Sequence, residues 1–262
     1  MSTRTGTQTA FVFGGGQGIG RATARKLAAS GVRIGIADLN AAAAREAADE
    51  IGSGFDVQTA HAGVDITNID DTRAAVAHLE GALGPVAIVV NSAAIVSNKL
   101  FVDSEPADWR RMIDVCLFGP LNILHAVLPG MQQRQFGRII YMASDAARTG
   151  QSRMSYYAAA KAGVIGLVKS VAQEVGRYQI TVNVVSPGAT NTELRKAREE
   201  ETRRNIGEEK YAERQKRVLR QYPMGRLGEP EDAAAAIAFL AGPDASWITG
   251  QAISVNGGFS ML

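Results

Sequence analysis

The stretch "AFVFGGGQGIGRATARKLAAS" (residues 10–30) decides how the rest of the chain is read. Four apolar residues run into a glycine cluster, and the cluster opens into an Ala-rich stretch with helical periodicity. The pattern reads as a short buried strand, a tight turn and a helix. Gly14, Gly18 and Gly20 carry no Cβ, so the backbone can turn sharply there and approach a phosphate. The N–H groups at the helix N-terminus could then hold a pyrophosphate. The spacing is Gly-x-x-x-Gly-x-Gly, not Gly-x-Gly-x-x-Gly, and a bare structural turn also accounts for such a run.

Outward from this unit the alternation repeats. The runs "VRIGIAD" (32–38), "VQTAHAGVD" (57–65), "VAIVV" (86–90), "RIIYMA" (138–143), "ITVNVVS" (180–186) and "AISV" (252–255) read as strands with helical stretches between them. This predicts an α/β fold, a Rossmann-type doubly wound parallel sheet of about seven strands with helices on both faces. Residues 1–262 show no linker, repeat or low-complexity tract, so a single domain is expected. Ligands in such sheets bind beyond the carboxyl ends of the strands, where strand order reverses.

Composition narrows the class. Hydrophobic residues at 46% and charged residues at 21% exclude a disordered chain. A net charge of +2 is too small for a general nucleic-acid binder. A single cysteine excludes an intramolecular disulfide and fits a reducing, cytoplasmic setting. The start "MSTRTGTQTA" has no apolar signal core, and no apolar run approaches membrane-span length, so no membrane association is expected.

The chemistry-bearing residues fall at predicted strand ends. Asp38 closes the second strand, where a carboxylate can accept hydrogen bonds from an adenosine ribose and would repel a 2′-phosphate. Neither Gln17 nor Leu39 offers a cation to such a phosphate, which favours NAD over NADP. Asp38 also reads as a plain helix N-cap. In "SYYAAAKAG", Tyr157 and Lys161 stand four apart on one helix face, and an ammonium near a phenol stabilises its anion. Tyr156 has Ala160 at the same offset, which selects Tyr157. Ser144 follows the fifth apolar run, where its hydroxyl could polarise a substrate oxygen.

Together these residues make the chain resemble a short-chain dehydrogenase/reductase of the compact single-domain branch, over essentially its whole length. The pieces occur in that family's order: Gly14-x-x-x-Gly18-Ile19-Gly20, Asp65, Asn91, Ser144, Tyr157-x-x-x-Lys161, then Asn183, Pro187-Gly188 and Thr192. The resemblance implies hydride transfer between a nicotinamide and a secondary alcohol or ketone, with NAD expected and NADP less so. Tyr157 would be the acid/base, Lys161 would bind the nicotinamide ribose and depress the Tyr157 pKa, and Ser144 would orient the reacting oxygen. The cofactor would lie along Gly14, Gly18, Ile19 and Gly20, with its adenosine near Asp38, Leu39, Asp65, Ile66, Asn91 and Ala93. Pro187, Gly188, Thr190 and Thr192 would hold the nicotinamide end. A homotetramer is implied as well. The alternatives are an NADP-dependent carbonyl or 3-oxoacyl thioester reductase, and a nucleotide-binding regulatory protein with weak turnover.

The chain departs from the family pattern at three places. Phe13 stands where Thr is usual, and Asn91-Ser92-Ala93-Ala94 replaces Asn-Asn-Ala-Gly. Cys116, in "MIDVCLFGPLN" (112–122), occupies the usual place of a catalytic asparagine. It reads as an inert packed side chain, or as part of a proton relay that uses water or backbone instead; nothing about the chemistry calls for a nucleophile. The segment 193–222 reads as a helical lid over the substrate. From Glu193 to Arg220 it carries ten Lys/Arg and seven Asp/Glu, a net +3. That run is either a solvated helical pair or a set of arginines facing an anionic substrate such as a carboxylate or a coenzyme A ester. Leu194, Ile206, Tyr211, Val218, Leu219 and Tyr222 could form its inner face. Ala94, Ile95, Val96, Asp145 and Gln151 are expected to line the remaining pocket. His61, His78 and His125 lack metal-ligand spacing, so no metal is expected. Trp109 and Trp247 read as core or interface residues.

Overall fold

Seven strands form one sheet: β1 (Thr9–Phe13), β2 (Arg33–Asp38), β3 (Thr59–Gly63), β4 (Ile88–Asn91), β5 (Gly137–Met142), β6 (Ile180–Pro187) and β7 (Ala252–Val255). The structure is a computed structural model that describes residues 8–261. The expected lack of an apolar leader therefore falls mostly on residues outside that range. Strand order is β3-β2-β1-β4-β5-β6-β7, and every pairing is parallel. The order runs one way from β1 to β3 and the other way from β4 to β7. The crevice where order reverses therefore opens beyond the ends of β1 and β4.

Among the described residues are ten α-helices: α1 (Gly18–Ala28), α2 (Ala41–Phe55), α3 (Ile69–Leu83), α4 (Pro106–Ile113), α5 (Gly119–Arg134), α6 (Ala146–Thr149), α7 (Ser155–Val175), α8 (Glu193–Ile206), α9 (Glu208–Leu219) and α10 (Pro230–Ala241). Side chains alternate along a strand, so Phe11 and Phe13 enter one layer while Ala10 and Val12 enter the other. The first layer takes Leu79 from α3, Val127 from α5 and Val168 from α7. The second takes Leu27 from α1, Ile51 from α2 and Ile237 from α10. Each such side chain contributes about 1.5–3 kcal/mol when fully buried. The central strands are thus buried on both faces, as the sequence pattern implied, while the edge strands β3 and β7 are only partly buried.

One expectation is corrected. The continuous helical stretch Pro106–Arg134, in which a π-helical turn at Asp114–Phe118 joins α4 to α5, is long and apolar enough to cross a membrane. Its apolarity has a cause within the fold: Met112 and Cys116 pack against Tyr156 and Tyr157 of α7, and Ile123, Leu124, Val127 and Met131 pack on the sheet. Trp247 is 98% exposed, so it belongs to no core. Trp109 is partly buried and stacks on Phe101.

Candidate active site

A cleft of about 1160 Å³ runs across the strand ends. At one end, Gly14 adopts φ +70°, and a Cβ there would lie 2.5 Å from the backbone nitrogen of Ala93. The loops after β1 and β4 thus meet through a residue that must be glycine. A Cβ on Gly20 would fall 2.1 Å from the Gly14 carbonyl oxygen, which locks the turn from behind. Gln17 precedes α1 without a side-chain cap, whereas α2, α3 and α8 are capped by Asn40, Asn68 and Thr192. The α1 N-terminus therefore has no capping side chain competing for its first N–H groups.

Asp38 ends β2 beside this loop. Its Oδ2 accepts from the Gly16 N–H at 3.0 Å and its Oδ1 from the Asn40 N–H at 3.0 Å. Asn40, not Asp38, is the N-cap of α2, accepting from the Ala43 N–H at 3.1 Å. Leu39 lies alongside, 76% exposed. Asp65 Oδ1 accepts from the Thr67 N–H and hydroxyl, and the Asn122 amide holds the Ile66 carbonyl at 2.8 Å.

Gly14, Gly18, Ile19, Asp38, Leu39, Asp65, Ile66 and Ala93 all line the cleft. Farther along it lie Ser144, Tyr157, Lys161, Pro187, Gly188, Thr190 and Thr192. Two expected residues sit beneath its floor. Gly20 is packed against Gly14, and the buried Asn91 uses its Oδ1 to accept from the Ala93 N–H at 3.1 Å. Size, uncapped helix and terminal carboxylate together fit an extended dinucleotide.

The Ser144 Oγ accepts from the Ala146 N–H at 3.2 Å and also reaches the Tyr157 hydroxyl. Tyr156 is occupied elsewhere, in a short hydrogen bond with Ser97. Lys161 is 2% exposed and donates from Nζ to the Met142 carbonyl at 2.9 Å, tying α7 to the end of β5. The Tyr157 pKa does not follow the expected direction. Burial raises it well above the ordinary phenol range, a charge on Cys116 would raise it further, and the Ser144 bond and the Arg198 guanidinium oppose the rise. Burial likewise lowers the Lys161 pKa. In the protein alone, then, Lys161 lies 5.9 Å from the Tyr157 ring centre without depressing its pKa.

Cys116 is fully buried behind the cleft wall, with its thiol donating to the Ile95 carbonyl at 3.5 Å. Ala94, Ile95, Val96, Asp145 and Gln151 line the same cleft. The Asp145 carboxylate is not free for ligand, since it accepts from Ser254 at 2.6 Å, Ser260 at 3.0 Å and Asn256. It pins the C-terminal segment, from which Phe259 reaches the cleft.

Of the segment 193–222, Leu194, Val218 and Tyr222 face the cleft, whereas Ile206, Tyr211 and Leu219 do not. Arg195, Arg198 and Arg214 also face it. Two further arginines, Arg110 and Arg111 of α4, also line the cleft and were missed from the sequence. They sit in an amphipathic helix among ordinary surface charges, with no local signal that sets them apart.

The chain is similar in sequence to known proteins. A family profile described as enoyl-(acyl carrier protein) reductase matches residues 14–260. The acetoacetyl-CoA reductase of Rhizobium meliloti (strain 1021) is 38% identical over 252 residues, covering 96% of this chain and 98% of that protein. The acetoacetyl-CoA reductase of Shinella zoogloeoides is 36% identical over 254 residues, covering 96% and 98%. The 3-oxoacyl-(acyl-carrier-protein) reductase FabG of Vibrio cholerae is 34% identical over 255 residues, covering 97% and 98%.

Proposed function

The chain belongs to the short-chain dehydrogenase/reductase family of nicotinamide-dependent oxidoreductases, and on that premise we propose that it interconverts a secondary alcohol and a ketone using NAD. The observation that carries the reading is the convergence of Ser144, Tyr157 and Lys161 on one cleft whose far end presents the Asp38 carboxylate. The bound nicotinamide supplies the hydride acceptor for alcohol oxidation and the hydride donor for ketone reduction. Tyr157 takes the hydroxyl proton in one direction and returns it in the other. Ser144 donates to the reacting oxygen and stabilises charge that develops on it. Lys161, fixed at Met142, holds the ribose next to the nicotinamide and completes the positive surroundings of Tyr157. Asp38 accepts from the adenosine ribose and disfavours a 2′-phosphate. The segment 193–222 covers the substrate. Exposed Phe118 and Leu121 on the long helix, with Phe239 and Trp247 elsewhere, fit burial in a homotetramer.

A second reading has specific support. The relatives named above are reductases of acetoacetyl-CoA and of 3-oxoacyl carrier-protein thioesters, and Arg110 and Arg111 in the cleft lining would suit the phosphates of such carriers. Absorbance of reduced nicotinamide, followed over secondary alcohols, ketones and 3-oxoacyl thioesters with both cofactors, tests the two together. Turnover with NAD and loss of it in Tyr157→Phe is the expected result.

A further inference from the structure

Three arginines that line the cleft, Arg195, Arg198 and Arg214, gather on a single carboxylate of α8. Glu199 of α8 is 5% exposed and is the acid around which three arginines gather. Its Oε2 accepts from Arg214 at 2.5 Å and from the Gln215 amide at 2.6 Å. Its Oε1 is approached by Arg214 at 3.5 Å, by Arg195 at 3.6 Å and by Arg198 at 3.7 Å. The last two separations are too long for a hydrogen bond.

One carboxylate, largely claimed by Arg214 and Gln215, thus faces three guanidiniums. The Arg195 side chain is only 11% exposed and that of Arg198 30%. Among the described residues, neither guanidinium donates a hydrogen bond to a protein acceptor at normal distance. A guanidinium presents five donors in a planar fork, and leaving such donors buried without acceptors is costly. Arg198 also lies close enough for its charge to act on the Tyr157 hydroxyl. Ile95, Val96, Leu194 and Val218 are among the apolar residues that line the same cleft.

We propose that Arg198, assisted by Arg195, is an anchor for a carboxylate borne on the reacting fragment itself, so that the substrate is a short oxo or hydroxy acid and not a neutral carbonyl or a thioester. A thioester is uncharged beside its reacting carbonyl, and its carrier phosphates would lie out towards the rim. It would leave both inner guanidiniums without an acceptor. A free carboxylate supplies two oxygens to the fork and gives these guanidiniums the acceptors they lack. The inference rests on the oxidoreductase reading only for placing the reacting oxygen at Tyr157.

The test pairs acetoacetate and levulinate with their methyl esters and with acetoacetyl-CoA, following oxidation of reduced nicotinamide. In parallel, calorimetry measures butyrate binding to cofactor-loaded protein. The acids should exceed esters and thioester in kcat/KM by about 30-fold, the scale of one charge-assisted hydrogen bond. Arg198→Met should remove that margin and the butyrate binding, while Arg198→Lys restores part of both. Arg204→Met, which removes an exposed charge outside the cleft, should change neither. Equal use of acids and esters, preference for the thioester, or butyrate binding that survives in Arg198→Met would overturn the anchor. If no carbonyl compound is reduced but butyrate binding still depends on Arg198, the anchor stands and the oxidoreductase reading fails.

Discussion

Asp38 Oδ2 accepts a hydrogen bond from the Gly16 N–H at 3.0 Å, so the last side chain of β2 is built into the glycine loop. The carboxylate cannot swing away from a ligand's ribose without breaking this bond and the one from Asn40. A 2′-phosphate brought next to it would meet like charge at short range, a penalty of about 2 kcal/mol or more. Reduced NAD should therefore bind about 30-fold more tightly than reduced NADP in a fluorescence titration. The pair Asp38→Ser and Leu39→Arg should reverse the preference. Equal affinities in the parent protein would contradict the assignment.

Burial holds the Tyr157 hydroxyl protonated well beyond neutrality. Alcohol oxidation needs the deprotonated form as base, so its kcat/KM should climb about tenfold per pH unit through the alkaline range. Ketone reduction needs the protonated form as acid and should stay level across neutral pH. The Arg198 charge lowers the Tyr157 pKa, so Arg198→Met should move the oxidation limb to higher pH. Rate profiles in both directions check the sign, and an oxidation rate that ignores pH would count against Tyr157 as the base.

Gly14 holds φ +70° and has Ala93 backbone where a Cβ would go. Gly14→Ala should cost about 1–3 kcal/mol of stability and weaken nucleotide binding, because the loops after β1 and β4 must separate. Gly54→Ala, within α2 with nothing near its missing Cβ, should instead stabilise by about 0.5–1 kcal/mol. Thermal denaturation of both variants gives the comparison. Similar melting temperatures for the two would show that the Gly14 contact carries no strain.

Cys116 fills a buried position whose thiol, among the described residues, hydrogen-bonds to the Ile95 carbonyl alone. If the proton relay needs no side-chain amide there, Cys116→Ala should keep turnover within about threefold while lowering stability by about 1 kcal/mol through lost packing. Cys116→Asn should add little to the rate. A large fall in the alanine variant, with NAD affinity and fold intact, would tie the thiol to the relay.

The parts of the site that were legible in sequence are those set by local rules. Apolar runs marked the central strands, because both faces of the sheet are covered there, whereas the edge strand β3 (TAHAG) is only partly buried. Glycine spacing located the tight turn between β1 and α1, and a four-residue offset separated Tyr157 from Tyr156. The less legible parts depend on contacts between distant residues. Whether Asp38 capped a helix could be decided only once Asn40 was seen to do so. Nothing near Asp145 announces that Ser254, Asn256 and Ser260 will claim its carboxylate. The arginines of segment 193–222 looked alike in sequence, and only the packing of α8 on α9 distinguishes Arg214, which is satisfied by Glu199, from Arg198, which is not. The long apolar helix Pro106–Arg134 was missed because Asp114, a proline and polar residues break the run into pieces that read as short.

The central claim is that Tyr157 exchanges the proton in a nicotinamide-linked oxidation and reduction. Tyr157→Phe removes one oxygen and leaves the ring packing of Met112 and Cys116 in place. Single-turnover and steady-state rates should fall about a thousandfold, with NAD affinity within about threefold of the parent. A phenylalanine variant that binds NAD normally and turns over at the parent rate would contradict the account.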